Sequence, residues 1–156
     1  GELVDTDAVL AALESGKLAK YVTDFPNEKI IGKENVIALP HLGASTAESE
    51  ENCARMAADE LIDYLDNGNI RNSVNMPCVC MERSGVARVC VIHKNIPNML
   101  NHIISLVSAD GANIENMTNK SRGEYAYTML DLGAAVPEKL KEDLKALDDV
   151  IFVRVI

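Results

Sequence analysis

The sequence predicts an α/β chain in two parts, and three observations carry that expectation. An apolar run at residues 36–39 ends in Pro40 and leads into a long stretch of helical periodicity. Past residue 86 the pattern reads strand, helix, strand, strand, helix, strand, which is the split βαβ or ferredoxin-like order. Between the two lies a short segment, polar in its middle and containing Ser84-Gly85, that reads as a linker. The predicted organisation is therefore residues 1–77, a linker at 78–86, and a βαββαβ domain at 87–156.

The first part opens with a helix. Asp5 or Thr6 caps it, Ala8, Leu10, Ala11, Ala12 and Leu13 supply apolar positions, and Gly16 ends it. A short strand at 20–24 is broken by Pro26, and the run at 36–39 is apolar throughout, as in a parallel strand covered on both faces. Ser45 with Glu48 fits a capping box for the next helix, residues 46–67, roughly 33 Å long at 1.5 Å per residue. In that helix Ala54, Ala57, Ala58, Leu61, Ile62 and Leu65 form one apolar face, and Gly68 is its stop. Residues 72–75 read as a short strand before Pro77.

In the second part, residues 87–93 are a strand. Met99, Leu100, Ile103, Ile104 and Val107 line a helix closed by Gly111. Strands at 113–119 and 124–132 flank Lys120-Ser121-Arg122-Gly123, a hairpin signal. Pro137 starts a helix with Leu140, Leu144 and Leu147 on its stripe, and 150–156 is the last strand. With both helices on one face, this order leaves the other sheet face bare or paired.

Composition narrows the function classes. Of 156 residues, 47% are apolar and none is tryptophan, so the core is aliphatic. The net charge is −9, with 6 Lys/Arg against 14 Asp/Glu in residues 1–77 and 9 against 10 thereafter. An acidic chain disfavours nucleic acid and anionic membranes as partners. Cys53, Cys78, Cys80 and Cys90 form no disulfide framework, and reduced thiols in a cytoplasmic protein are the default expectation. Cys78-Val79-Cys80 is the close pair, with no histidine or third cysteine beside it, and no metal site is expected there.

The stretch Val36-Ile37-Ala38-Leu39-Pro40-His41-Leu42-Gly43-Ala44-Ser45-Thr46 concentrates the chemistry. It puts a histidine, able to gain or lose a proton near neutral pH, just past a strand end. In open α/β sheets ligands bind beyond the carboxyl ends of strands. Gly43 and Ala44 let the backbone pass close to such a ligand. A surface histidine in a loop is the plainer alternative.

The strings Gly1-Glu2-Leu3-Val4-Asp5, Phe25-Pro26-Asn27-Glu28, Pro40-His41-Leu42-Gly43-Ala44-Ser45-Thr46 and Asn72-Ser73-Val74-Asn75 resemble the C-terminal half of the D-isomer-specific 2-hydroxyacid dehydrogenases of serine biosynthesis, the D-3-phosphoglycerate dehydrogenases. Residues 87–156, with His93-Lys94-Asn95-Ile96-Pro97, resemble their ACT domain, a small-molecule-sensing module. The resemblance implies the C-terminal remnant of a dinucleotide-binding, Rossmann-like domain with a long crossover helix, followed by a ferredoxin-like ACT domain. It implies NAD as cofactor and a cytoplasmic homo-oligomer. By motif, His41 matches the catalytic histidine and Glu28 the carboxylate that pairs with it. Leu42, Gly43 and Ala44 match backbone against the nicotinamide end, and Asp24 is the candidate cofactor contact beside His41. His93, Asn95 and Asn113 match effector positions, often for L-serine, between two subunits of a dimer.

Departures shape the expectations. Relatives place an aspartate two residues before the phenylalanine, where this chain has Thr23, with Asp24 following. The loop from Glu28 to His41 is shorter than in many relatives, and Asn98 stands where they commonly have glycine. The arginine expected just before Gly1 and the phosphate-binding G-x-G-x-x-G are not in these residues. The chain is read as a fragment, inactive by itself, of an enzyme that oxidises 3-phospho-D-glycerate. The alternatives are a non-catalytic amino-acid-binding and dimerisation module, or a glycerate or hydroxypyruvate reductase as the parent enzyme. Asn95 could equally be a plain helix cap.

Overall fold

The computed structural model describes residues 3–156, so Gly1 and Glu2, which open the resemblance, lie outside the described residues. The chain forms two compact units, Gly1–Cys53 and Ala54–Ile156.

In the first unit, α1 spans Thr6–Glu14, with the Asp5 side chain accepting from Ala8 N at 3.1 Å. Strands β1 (Tyr21–Thr23) and β2 (Val36–Ala38) pair in parallel, Thr23 opposite Ala38. The expected burial of β2 on both faces is not met. Val22, Ile37 and Leu39 all remain about half exposed, because no further layer covers this two-stranded pair among the described residues.

Helix α2 spans Ala47–Asn67, and none of its residues is buried. The Ser45–Glu48 capping box does not form. Thr46 caps instead, its Oγ1 accepting from Ser49 N at 3.1 Å, while Ser49 Oγ donates to Gly43 O at 3.0 Å. The periodic face predicted from Ala54 to Leu65 is present as a pattern, yet Leu61, Ile62 and Leu65 are each more than half exposed. No helix among the described residues is long and apolar enough to cross a membrane.

The second unit carries the βαββαβ order: β3 (Ala87–Lys94), α3 (Met99–Ala109), β4 (Ile114–Arg122), β5 (Tyr125–Leu132), α4 (Glu138–Lys145) and β6 (Val150–Val155). The four strands pair antiparallel in the order β4-β5-β3-β6. Strand β4 runs through Arg122, so the hairpin turns on Gly123-Glu124, with Gly123 at φ +60° as a two-residue turn demands. One sheet face packs Val89, Val91, Leu130, Leu132 and Val153 against Ile103 and Val107 of α3 and Leu140 and Leu144 of α4.

The other sheet face is not bare. Ile70, Val79 and Met81 cover Cys90, Tyr127 and Met129, forming a second core. The predicted strand at 72–75 is absent, and pairing occurs instead at an isolated bridge between Ile70 and Val79, with N–H···O distances of 2.8 and 2.9 Å. The expected polar linker at 78–86 is likewise a packed strap. Val79 is fully buried and Met81 nearly so, because apolar side chains at alternate positions of an extended segment reach one face. The two compact units divide within α2, between Cys53 and Ala54, whereas the sequence places its boundary after residue 77.

Gly68 makes the entry to this strap possible. Its φ is +74°, and a Cβ there would lie 2.6 Å from Cys90 Sγ and 3.2 Å from Tyr127 Oη. Tyr127 Oη donates to Gly68 O at 2.7 Å, fixing the same turn. Asp63 gathers the neighbouring chain, accepting from Asn67 Nδ2, Asn69 Nδ2 and Arg71 Nε at 2.9 to 3.0 Å. Burial would raise its carboxyl, but the amides and the guanidinium hold it below the usual carboxylate range.

Candidate functional site

The parallel register of β1 and β2 builds the first cluster. Asp24 and Phe25 follow the end of β1, and His41 stands three residues beyond β2, so all three emerge at the carboxyl end of the strand pair. His41 Nδ1 lies 2.8 Å from Asp24 Oδ2. The Phe25 ring sits 4.2 Å from the imidazole, centroid to centroid, at an interplanar angle of 37°. Thr23, nearly buried, locks this end by accepting from Phe25 N at Oγ1 (3.2 Å) and from Leu39 N at its carbonyl (2.9 Å).

Two sequence expectations change here. Glu28, expected as the partner of His41, is exposed and takes part in none of these bonds. Asp24, expected at a cofactor, is the carboxylate on the imidazole instead. The reason is backbone placement: Asp24 lies beyond the last β1 pair, where strict side-chain alternation no longer applies, and its carboxylate turns to the neighbouring strand end.

The arrangement has a definite chemistry. An ionised carboxylate only accepts, so Asp24 fixes the proton on Nδ1 and leaves the Nε2 lone pair as the basic site. Both side chains are a little over half exposed, so the pair orients the ring more than it stabilises the fold. Beside it, Leu42 is half exposed, and a Cβ on Gly43 would meet no atom within 4 Å. No three His, Cys, Asp or Glu side chains gather as a metal site among the described residues.

The candidate effector residues sit in the second unit and are not brought together within one chain. His93 is 3% exposed, with Nδ1 2.8 Å from Lys94 O and Nε2 2.9 Å from Thr128 Oγ1. Thr128 Oγ1 in turn donates to Asn119 Oδ1 at 2.9 Å. Asn95 does not cap α3; its Nδ2 donates to Gly123 O at 3.1 Å, pinning the β4–β5 hairpin. Asn113 Nδ2 donates to Glu115 Oε1 at 2.8 Å. Lys94 pairs with Tyr125 and Ala87 with Leu132, so Asn113 and His93 lie toward opposite ends of the sheet, about 20 Å apart at ~3.3 Å per residue. Asn98, at the start of α3, has φ +69° and makes no side-chain cap. That left-handed conformation is the physical reason a glycine suits the position.

The sequence reading passed over a buried ion pair. Arg88 and Asp131 face each other in the β3–β5 register, with Nε–Oδ1 at 2.5 Å and Nη2–Oδ2 at 2.8 Å. The guanidinium also donates to the carbonyls of Asn67, Met81 and Glu82, and Ser84 N donates to Asp131 at 2.7 Å. Burial alone would push the Asp131 carboxyl up; the Arg88 fork and Ser84 hold it below the ordinary carboxylate range. The signal was available: each is the one charged residue within an apolar strand stretch, and the predicted antiparallel register sets them opposite.

The fold and these clusters define an α/β chain with a histidine–carboxylate pair at a parallel strand end and a ferredoxin-like C-terminal domain. The chain is similar along its full length to the C-terminal region of proteins named D-3-phosphoglycerate dehydrogenase. It is 34% identical to that of Haemophilus influenzae over 168 residues, covering 100% of this chain and 41% of the relative. The Escherichia coli K12 enzyme is 32% identical over 169 residues, with the same coverage. D-3-phosphoglycerate dehydrogenase 2 of Saccharomyces cerevisiae is 27% identical over 172 residues, covering 95% of the chain and 36% of the relative. The chain thus spans about two fifths of the length of these relatives. No protein-family model matches it. Among solved structures, the crystal structure of the ACT domain from GTP pyrophosphokinase of Chlorobium tepidum superposes with a TM-score of 0.41 at 16% identity, over 45% of this chain and 95% of that one.

Proposed function

We propose that the chain is the C-terminal part of an NAD-dependent dehydrogenase that oxidises 3-phospho-D-glycerate to 3-phosphohydroxypyruvate, and that its second unit is an amino-acid-responsive ACT domain. The observation that carries the catalytic reading is the Asp24–His41 pair at the carboxyl ends of two parallel strands. Oxidising a secondary alcohol needs a base for the hydroxyl proton. His41 Nε2 takes that proton, and Asp24 stabilises the imidazolium that results. Phe25 packs a tilted ring against the imidazole. NAD, when bound, supplies the hydride acceptor, and Leu42, Gly43 and Ala44 are the residues to hold its nicotinamide end. The reading places the protein in the cytoplasm.

The test is NADH formation by a protein in which this chain is joined to a segment bearing a glycine-rich phosphate loop. Turnover with 3-phospho-D-glycerate well above that with glycerate supports the reading. The reverse preference assigns a glycerate or hydroxypyruvate reductase.

For the second unit, a dimer pairs the Asn113 end of one copy with the His93 and Asn95 end of the other, giving an effector such as L-serine polar contacts from both. Calorimetric titration of L-serine should show binding that falls at least about tenfold in Asn95→Ala and Asn113→Ala, with a dimer by sedimentation. A monomer at tens of micromolar, or binding untouched by both changes, rejects the arrangement. If the chain dimerises without binding serine, Asn98→Gly should recover affinity.

A further inference from the structure

Residues 77–81 alternate strictly in exposure. Pro77, Val79 and Met81 are buried, whereas Cys78 and Cys80 are exposed. The cause is local. The double hydrogen bond of Val79 with Ile70 holds the segment extended, and side chains two residues apart on an extended chain share a face. The inward face is fixed by the core that Val79 and Met81 form with Tyr127 and Met129. Two exposed thiols therefore stand on the same face of an anchored, extended backbone.

Their surroundings carry both signs of charge, because Arg71 is itself paired with Asp63 at 3.0 Å. The Arg71 guanidinium acts on the Cys80 sulfur, and Lys120 Nζ donates to Cys78 O at 3.2 Å. Burial, Cys78 and Asp63 hold the Cys80 thiol above its ordinary range, and Arg71 offsets only part of that. The remaining cysteines offer no such pair: Cys90 is buried in the second core, and Cys53 is an exposed thiol on α2.

We propose that Cys78 and Cys80 are a redox-active dithiol that closes to an intrachain disulfide, with a low-molecular-weight disulfide such as oxidised glutathione as the oxidant. One protein thiolate attacks a sulfur of the oxidant, forming a mixed disulfide and releasing one small thiolate. The second protein thiol, deprotonated, attacks the protein-side sulfur and releases the other. The two cysteines are oxidised, the small disulfide is reduced to two thiols, and the protons lost by the cysteines pass to the leaving thiolates.

Geometry makes this bond labile. Cα atoms two residues apart in an extended chain are about 6.6 Å apart, near the upper end of the ~4.4–6.8 Å that a disulfide spans. The buried side chains on either side resist further closure, so the ring forms under tension, exposed to solvent, and is readily reduced again.

The experiment uses the 156-residue chain, reduced, freed of reductant and incubated with oxidised glutathione at mildly alkaline pH. Free thiols are then alkylated, and intact mass and peptide maps are recorded. The expected result is loss of two hydrogens, with alkylation lost at Cys78 and Cys80 together and restored by excess reduced glutathione. Cys78→Ser and Cys80→Ser should each stop at a glutathione adduct on the remaining thiol, and Cys53→Ser should behave as the parent chain. Stable glutathione adducts without ring closure in the parent chain overturn the proposal. So does a linkage through Cys53, the absence of oxidation, or a bond that survives excess reduced glutathione.

Discussion

Replacing His41 with alanine or asparagine, in a protein that carries the whole catalytic unit, is expected to slow oxidation of 3-phospho-D-glycerate by roughly 10²–10⁴-fold. That corresponds to about 3–5 kcal/mol of barrier at ~1.36 kcal/mol per decade. NAD affinity should change little, because the ring's task is at the hydroxyl proton. The companion substitutions separate the two carboxylates. Asp24→Asn removes the acceptor that fixes the Nδ1 proton and should lower kcat by about tenfold or more. Glu28→Gln, at an exposed residue outside the cluster, should leave kcat within about threefold. Steady-state kinetics and the pH–rate profile of each variant decide the matter. A near-normal His41→Ala enzyme ends its assignment as base, and a Glu28→Gln defect larger than that of Asp24→Asn restores the original pairing.

Breaking the Arg88–Asp131 pair should cost the second unit roughly 3–5 kcal/mol, because either partner alone leaves a buried charge without its counter-ion. Both residues are 0% exposed, so solvent does not screen the loss. Asp131→Asn and Arg88→Met should each lower the urea midpoint strongly. The double replacement Arg88→Met with Asp131→Leu should be much less damaging than either single one, since no charge is then stranded. The pH dependence has a definite sign. The folded Asp131 carboxyl lies below its ordinary range, so its contribution is fully present above the unfolded value of ~3.9 and disappears as pH falls through the lower folded value. Stability of the native chain should therefore drop below about pH 4, and Asp131→Asn should flatten that drop. The Asp63 carboxyl is lowered in the same direction, so a residual acid dependence remains in the variant. Single variants with unchanged midpoints would remove this pair from the account of the fold.

What the sequence determined by itself was local and periodic. The βαββαβ order, the caps and stops at Asp5, Pro137 and Gly111, and the placement of His41 just past a strand all follow from alternation, helical period and turn chemistry. Tertiary structure decided which of several equivalent side chains meet. Glu28 and Asp24 are both acidic and both near Phe25 in sequence, and only the parallel register of β1 on β2 puts Asp24 on the imidazole. The strap at 78–86 was illegible for a related reason. Its apolar residues are spread over a loop, and they read as a linker until the exposed apolar face of a sheet gives Val79 and Met81 somewhere to bury. Arg88 and Asp131 each look costly in a strand taken alone, and become a single neutralised unit once antiparallel pairing sets them face to face. Periodicity fixes which face a residue takes; the long-range pairing of faces, which the chain settles only on folding, fixes its partner.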